Sequence, residues 1–162
     1  MDAIDAKILE SLQIDGRKKN SVLARELEIP PTTLKERIRR LEKTGIIKGY
    51  QAVIDREKIG LAVQAIVAVS LHRHESRSIR EFEKGVGKIP QIRACYHTSG
   101  RFDYLLHVVV KDLSHLGGLV KTGITALPDF GRCETFLIYS QINADQVWPL
   151  RAAAMGHNIT GG

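Results

Sequence analysis

The chain has 162 residues, 43% of them apolar, with a formal net charge of +6 and two cysteines. That length allows one domain or two small ones, and the apolar fraction is enough for a packed core. No apolar run approaches the roughly 18 residues of a membrane-spanning helix and the charged start has no signal-peptide pattern, so a cytoplasmic protein with no membrane partner is expected.

The charge is unevenly placed. Residues 17–48 hold ten Lys/Arg against four Asp/Glu, a surplus of six that equals the net charge of the whole chain. A concentrated basic stretch points to an anionic partner. Ahead of it, Ile4, Ile8 and Leu12 recur at helical spacing, with Leu9 widening the stripe, and predict a helix over 2–12. Asp2 and Asp5 fall near the positive end of its dipole. Asp15-Gly16 ends it as a turn. Arg17, Lys18 and Lys19 follow on a loop, either solvated or placed for phosphate contact. Asn20, with Ser21 as fallback, is expected to cap a short second helix that buries Leu23, Ala24 and Leu27. Pro31 suits the first position of a third helix, which runs to about Thr44 and stops at Gly45.

Leu34, Ile38 and Leu41 form the apolar stripe of that third helix. Thr32, Glu36, Arg39 and Lys43 lie opposite, flanked by Thr33 and Arg40. Two helices joined by a turn of about three to four residues have helix-turn-helix spacing. The free, mostly basic face fits a helix that reads the major groove of double-stranded DNA; taken alone, it fits a solvated surface helix equally well. In the DNA reading, Thr32, Thr33 and Glu36 face base edges, with Arg37 in reach. Arg17, Lys18, Lys19, Arg39, Arg40 and Lys43 contact phosphates.

Residues 46–54 alternate loosely and predict a short strand leading out of a first domain, 1–54. Residues 55–60 are read as a linker. Beyond them the period changes. Residues 62–71 are apolar on both faces, as in a buried strand. Ile79, Phe82 and Val86 give a helix over 76–86. A strand over 91–98 puts Ile92, Ala94 and Tyr96 on one side and Arg93, Cys95 and His97 on the other; a tight Ser99-Gly100-Arg101-Phe102 connection leads to a strand over 103–110. Leu113, Leu116, Val120, Ile124 and Leu127 mark another helix, weakened by Gly117, Gly118 and Gly123 at about 1 kcal/mol each relative to Ala. Pro128 ends it, and a last strand covers 131–142. The order β-α-β-β-α-β is the ferredoxin-like split arrangement: an antiparallel sheet with both helices on one face. The fold class is therefore α+β, an N-terminal helix-turn-helix (winged-helix-like) domain followed by a ferredoxin-like domain over 61–151. The sheet's other face carries apolar side chains that a second copy would cover. Trp148-Pro149-Leu150 adds a short strand at that interface in this reading, and 152–162 is a frayed tail. Cys95 and Cys133 lack ligand spacing and read as free thiols, a disulfide being the lesser alternative.

This combination resembles the Lrp/AsnC family of bacterial and archaeal transcription regulators. Asp2-Ala3-Ile4-Asp5-Ala6-Lys7-Ile8-Leu9 resembles the family's D-x-x-D-x-x-I-L opening, and Asp15-Gly16-Arg17 its D-G-R. Pro31-Thr32 with Glu36-Arg37-Ile38-Arg39-Arg40-Leu41-Glu42 is similar to its recognition helix, and Gly45-Ile46-Ile47-Lys48-Gly49-Tyr50 to its G-[VI]-I-x-x-Y exit. Thr98-Ser99-Gly100-Arg101-Phe102-Asp103-Tyr104-Leu105-Leu106 resembles its T-G-x-x-D-Y-L-L element with one residue between Thr and Gly. Leu127-Pro128 and Thr135 also fall where the family has them. The resemblance implies homodimers formed through the sheets and assembling to octamers, near-palindromic DNA sites, and a small effector, an amino acid, in the C-terminal domain. It implies no further cofactor, no metal and no enzymatic activity. Gly100, Arg101 and Asp103, with Thr98 and Thr135, become the expected effector site. There Gly100 frees backbone N–H groups for a carboxylate, Arg101 pairs an acid, Asp103 accepts from an α-ammonium and Thr135 offers a hydroxyl. Plain hairpin chemistry explains Gly100 and Asp103 about as well.

The turn departs from the family's Gly, hydrophobic residue, Ser pattern, with Glu28, Ile29 and Pro30 in those places. Pro30 has no side-chain oxygen for capping, so the helix is expected to start later, with Thr32 or Thr33 as cap. Glu28 lacks glycine's freedom at positive φ. Two alternatives stay open. The architecture also resembles siroheme decarboxylases, and among the six histidines His97 and His107 lie on adjacent strands while His72 and His74 are two apart. The other alternative is an effector-binding assembly protein with weak DNA binding.

Overall fold

The computed structural model describes residues 1–142 and 147–150. These fall into two compact units, one of Met1–Val53 together with 147–150 and one of Ile54–Ile142. The first is a trihelical unit: α1 (Ala3–Ile14), α2 (Asn20–Glu26) and α3 (Pro31–Lys43). The apolar stripes meet as predicted. Ile8, Leu9, Leu23, Ala24, Leu34, Ile38 and Leu41 form one buried cluster. Asp2 caps α1 through a capping box with Asp5, each carboxylate accepting the other's backbone N–H at 2.8–3.0 Å.

Two cap expectations need correction. Lys19, not Asn20, is the N-cap of α2, and no side chain caps that helix. Helix α3 begins at Pro31 with Pro30 as N-cap, rather than at Thr32 or Thr33. Proline at the first position needs no N–H partner, so no cap oxygen is required for that donor. The turn between α2 and α3 is closed by the backbone, with the Ile29 N–H donating to the Ala24 carbonyl at 3.0 Å. Glu28 makes this geometry at φ 54, in the left-handed region. After α3 the chain reverses at Gly45 (φ 72), and Ile47 N–H returns to the Leu41 carbonyl. The strand expected over 46–54 is not formed. The segment has no partner strand among the described residues, and Ile46, Tyr50, Val53 and Ile54 are exposed.

The second unit has β1 (Val63–Leu71), α4 (Ser76–Val86), β2 (Ile92–His97), β3 (Tyr104–Val110), α5 (Leu113–Gly118) and β4 (Phe130–Leu137). The sheet order is β2-β3-β1-β4, all antiparallel, the ferredoxin-like arrangement expected. Ala65, Val67, Val69 and Leu71 of β1 join Leu106 and Val108 of β3 against Phe82, Val86, Leu116 and Ile124 of the helical layer. On the opposite face Ile66 pairs with His107 and Phe136, and Ala68 with Leu105 and Glu134. No element of this unit covers that face, and Tyr96 and Phe136 are at least half exposed there.

Three further differences have local causes. A bulge between Ile92 and Ala94 shifts β2, so Ile92 packs with the helices while Ala94 and Tyr96 stay on the open face. Strict alternation predicted all three on one side. The glycine-rich helix stops being α-helical at Gly118 and continues as a π-helical turn, Leu119–Ile124. Finally, 148–150 form no strand, and Leu150 packs with the trihelical core instead of the sheet. Residues 152–162 lie outside the described residues.

A left-handed conformation costs a non-glycine residue about 1–2 kcal/mol, partly offset by the unfolded-state entropy that glycine restores. Glu28→Gly is therefore expected to stabilise the chain by about 0.5–1 kcal/mol in urea unfolding; a destabilised variant would show that Glu28 holds the turn by its side chain.

Candidate DNA interface and effector site

On α3, Thr32, Lys35, Glu36, Arg39 and Lys43 are exposed, and Thr33 is half-buried. Lys35, Arg39 and Lys43 make no ion pair among the described residues. Lys35 belongs to this face but was not among the predicted contacts. It lies three residues after Thr32 and four before Arg39, a spacing that could have placed it. Arg17 and Lys19 are exposed, whereas Lys18 is half-buried with its Nζ 2.5 Å from Glu26 Oε2.

Arg37 and Arg40 are engaged elsewhere. Arg37 Nη1 donates to Asp2 Oδ2 at 2.6 Å and Asp5 Oδ1 at 2.9 Å. Arg40 Nη2 donates to both Asp5 oxygens at 2.9 and 2.8 Å. On the helical wheel Arg37 flanks the apolar stripe and so turns toward α1. The Asp5 carboxylate is only 2% exposed and is held by two guanidinium groups and the Asp2 N–H. Burial pushes its pKa up, but the Asp2 N–H and Arg37 outweigh this and hold it below the usual carboxylate range. The Asp5 N–H and the Arg37 guanidinium lower Asp2 to about 2.

In the second unit, the connection after β2 brings Thr98, Gly100, Arg101 and Asp103 together. Thr98 Oγ1 donates to the Phe102 carbonyl at 2.6 Å, and Thr98 N–H to the Asp103 carbonyl at 2.9 Å. Asp103 docks the turn on β1. Its N–H donates to the Val69 carbonyl, Oδ2 accepts the Leu71 N–H at 2.8 Å, and Oδ1 meets His74 Nε2 at 2.9 Å. Arg101 pairs with Glu134 and stacks over Phe102, whose ring also lies 5.7 Å from the Arg132 guanidinium. A methyl group added at Gly100 would meet nothing within 4 Å, so no neighbour among the described residues requires glycine there.

Thr135 is not brought to this cluster. It pairs with Val67 on the helix-facing side, while its neighbour Glu134 carries the contact to Arg101. Glu134, Arg132 and His74 are participants that sequence reasoning missed. Face alternation along β4 was the available signal for the first two. His97 and His107 do not face each other. His97 stacks on Tyr104 with ring centroids 4.7 Å apart, whereas His107 pairs with Gln64 on the other side of the sheet. No group of three or more His, Cys, Asp or Glu side chains able to hold a metal occurs among the described residues. Cys95 and Cys133 are free thiols, both shifted upward by burial.

Comparisons with known proteins agree across both units. A family model of the AsnC-type helix-turn-helix domain matches residues 1–42, and one of the Lrp/AsnC ligand binding domain matches 64–148. The leucine-responsive regulatory protein of Haemophilus influenzae is 34% identical over 142 residues, covering 88% of this chain and 86% of that one. The HTH-type transcriptional regulator AldR of Mycolicibacterium smegmatis is 35% identical, with 88% and 83% covered. Among solved structures, a Neisseria meningitidis transcriptional regulator in complex with L-Met superposes at TM-score 0.89 with 27% identity, covering 94% of this chain and 99% of that one.

Because folding lowers the pKa of both Asp2 and Asp5, their stabilisation is fully present above the ordinary value of 3.8 and is lost as the pH falls toward about 2. Acid titration followed by circular dichroism should show the trihelical unit weakening across that window, less steeply in Asp2→Asn. Asp5→Ala is expected to cost about 1–3 kcal/mol, since it strips partners from Arg37, Arg40 and the Asp2 N–H.

Proposed function

The chain belongs to the Lrp/AsnC family of transcription regulators, with a helix-turn-helix domain and a ligand-binding domain, and on that basis we propose how each domain acts. Helix α3 enters the major groove with Thr32, Thr33 and Glu36 toward base edges. Lys35, Arg39 and Lys43 hold phosphates, joined by Arg17 and Lys19. The observation that carries this reading is the division of α3's cations, with Lys35, Arg39 and Lys43 free and Arg37 and Arg40 tied to α1. Arg37 then orients the helix rather than reading a base. Arg40, 56% exposed, keeps an edge for a phosphate, and Lys18 contributes less than its neighbours.

The effector is an amino acid, in keeping with the L-Met complex of the Neisseria relative, and it binds at the Thr98, Gly100, Arg101 and Asp103 turn. The open space at Gly100 is compatible with this, since it leaves room for a ligand to approach the turn's backbone. Asp103 reads first as the residue that fixes the turn to β1, and Arg101 with Glu134 as the ion pair an amino acid would enter. The exposed sheet face fits a homodimer, which places two recognition helices about 34–36 Å or a multiple apart; four such dimers make the octamer. A cytoplasmic location agrees with a DNA partner. No helix among the described residues is long and apolar enough to cross a membrane.

A mobility-shift titration on the DNA upstream of the chain's own gene, against a scrambled fragment and over a salt series, tests the DNA reading. Arg39→Ala and Lys43→Ala should each weaken binding on every sequence and reduce the log–log salt slope by about 1, while Thr32→Ala should alter site preference. Equal, weak binding of wild type to both fragments would refute it. For the effector, calorimetry with the twenty L-amino acids should find one or a few that bind. Arg101→Ala should weaken that binding by about tenfold, equivalent to about 1.4 kcal/mol, with an unchanged melting profile.

A further inference from the structure

The chain crosses between its two units twice, after Val53 and again after Ile142. Just beyond β4, the Ile138 N–H still donates to the Gln64 carbonyl at 3.0 Å. The next described residues, 147–150, lie on the DNA-binding unit. The Trp148 N–H donates to Gln13 Oε1 at 2.6 Å. Leu150 packs against the trihelical core, and the Leu150 N–H closes onto the Trp148 carbonyl at 2.9 Å. Together they complete an apolar cradle of about 600 Å³ whose other walls include Leu9, Leu12, Ile47 and Tyr50.

We propose that residues 147–150 are a strap by which the chain returns to its own helix-turn-helix unit and seats on α1 and the exit segment. The seat is apolar, since Leu150 packs on the cluster that holds Leu9 and joins Leu12 and Ile47 at its edge, and the exit segment has no partner strand among the described residues. Leu150 supplies apolar area, and the Trp148–Gln13 bond fixes its register. Because the strap is tethered, its docking is intramolecular, so a small contact area suffices. The strap thus gives the helix-turn-helix unit a second covalent tie to the ligand-binding unit, after Ile142, beside the linker that follows Val53.

A disulfide tests the seating without reference to DNA or effector, so its failure is separable from that of the function proposed above. In the full chain, Gln13→Cys with Trp148→Cys should oxidise to a product that runs as a single chain on a non-reducing gel. Each single variant controls for Cys95 and Cys133. Failure to cross-link beyond the single variants, or a disulfide-linked dimer, overturns the proposal, the latter by putting the strap on a neighbouring copy. The milder Leu150→Ala retains Trp148, the only tryptophan in the chain. Its steady-state anisotropy should fall. Amide exchange in the last turn of α1 and at Ile47 should accelerate by about tenfold while β1 and β3 stay protected. Unchanged exchange at those amides would mean that the contact holds nothing in place.

Discussion

The DNA-binding unit depends on one buried carboxylate. Asp5 sits on the first turn of α1 with its oxygens facing α3, where it would be an isolated charge removed from water were it not for Arg37 and Arg40. Apolar packing among Ile8, Leu34, Ile38 and Leu41 brings the helices together, but the hydrophobic effect is non-directional and by itself tolerates small shifts of α3. Two guanidinium groups on one carboxylate remove that freedom, because a misplaced α3 leaves Asp5 unpaired. The capping box extends the constraint to the start of α1, since Asp2 both caps the helix and receives Arg37. The angle at which α3 presents its outer face is thus set by its contacts with α1.

A comparable economy operates in the other unit. Strand β1 is central, and the Asp103 carboxylate meets its last N–H, at Leu71. The turn that carries Gly100 and Arg101 is therefore fastened to the most buried strand, while the groups it displays remain at the surface. Glu134 and Arg132, from the strand on the other side of β1, complete the arrangement. In the proposed effector reading, a site assembled from a fixed turn and an adjacent edge strand responds to small movements of either.

Periodicity made both units legible. The three helical stripes, the order of the ferredoxin-like elements and the gathering of Thr98, Gly100, Arg101 and Asp103 all follow from local pattern. What was not legible depends on partners distant in sequence. Arg37 looked available because a helical wheel shows only its own helix, and Asp5 lies 32 residues away. Thr135 was placed at the effector site by family resemblance; a strand reverses faces at every residue, and in this chain it is Glu134 that meets Arg101 while Thr135 lies beside Val67. The bulge at Ile92–Ala94 defeats alternation by inserting a single residue. The missing strand over 46–54 has the right composition, but an extended segment becomes a strand only when another backbone pairs with it.

Pairing Arg37 and Arg40 within the protein also affects how such a regulator finds its site. Lys/Arg residues dominate α3's charge, but in the proposed DNA reading Arg37 is already paired before DNA arrives and Arg40 is paired in part. Fewer counterions are released on random sequence, so each non-specific encounter is shorter-lived and the molecule leaves wrong positions sooner. Genomic DNA offers an enormous excess of wrong positions, and occupancy of the right one is governed by the ratio of the two affinities more than by either alone. On that reading, the carboxylate that packs α3 against α1 also limits binding at wrong positions.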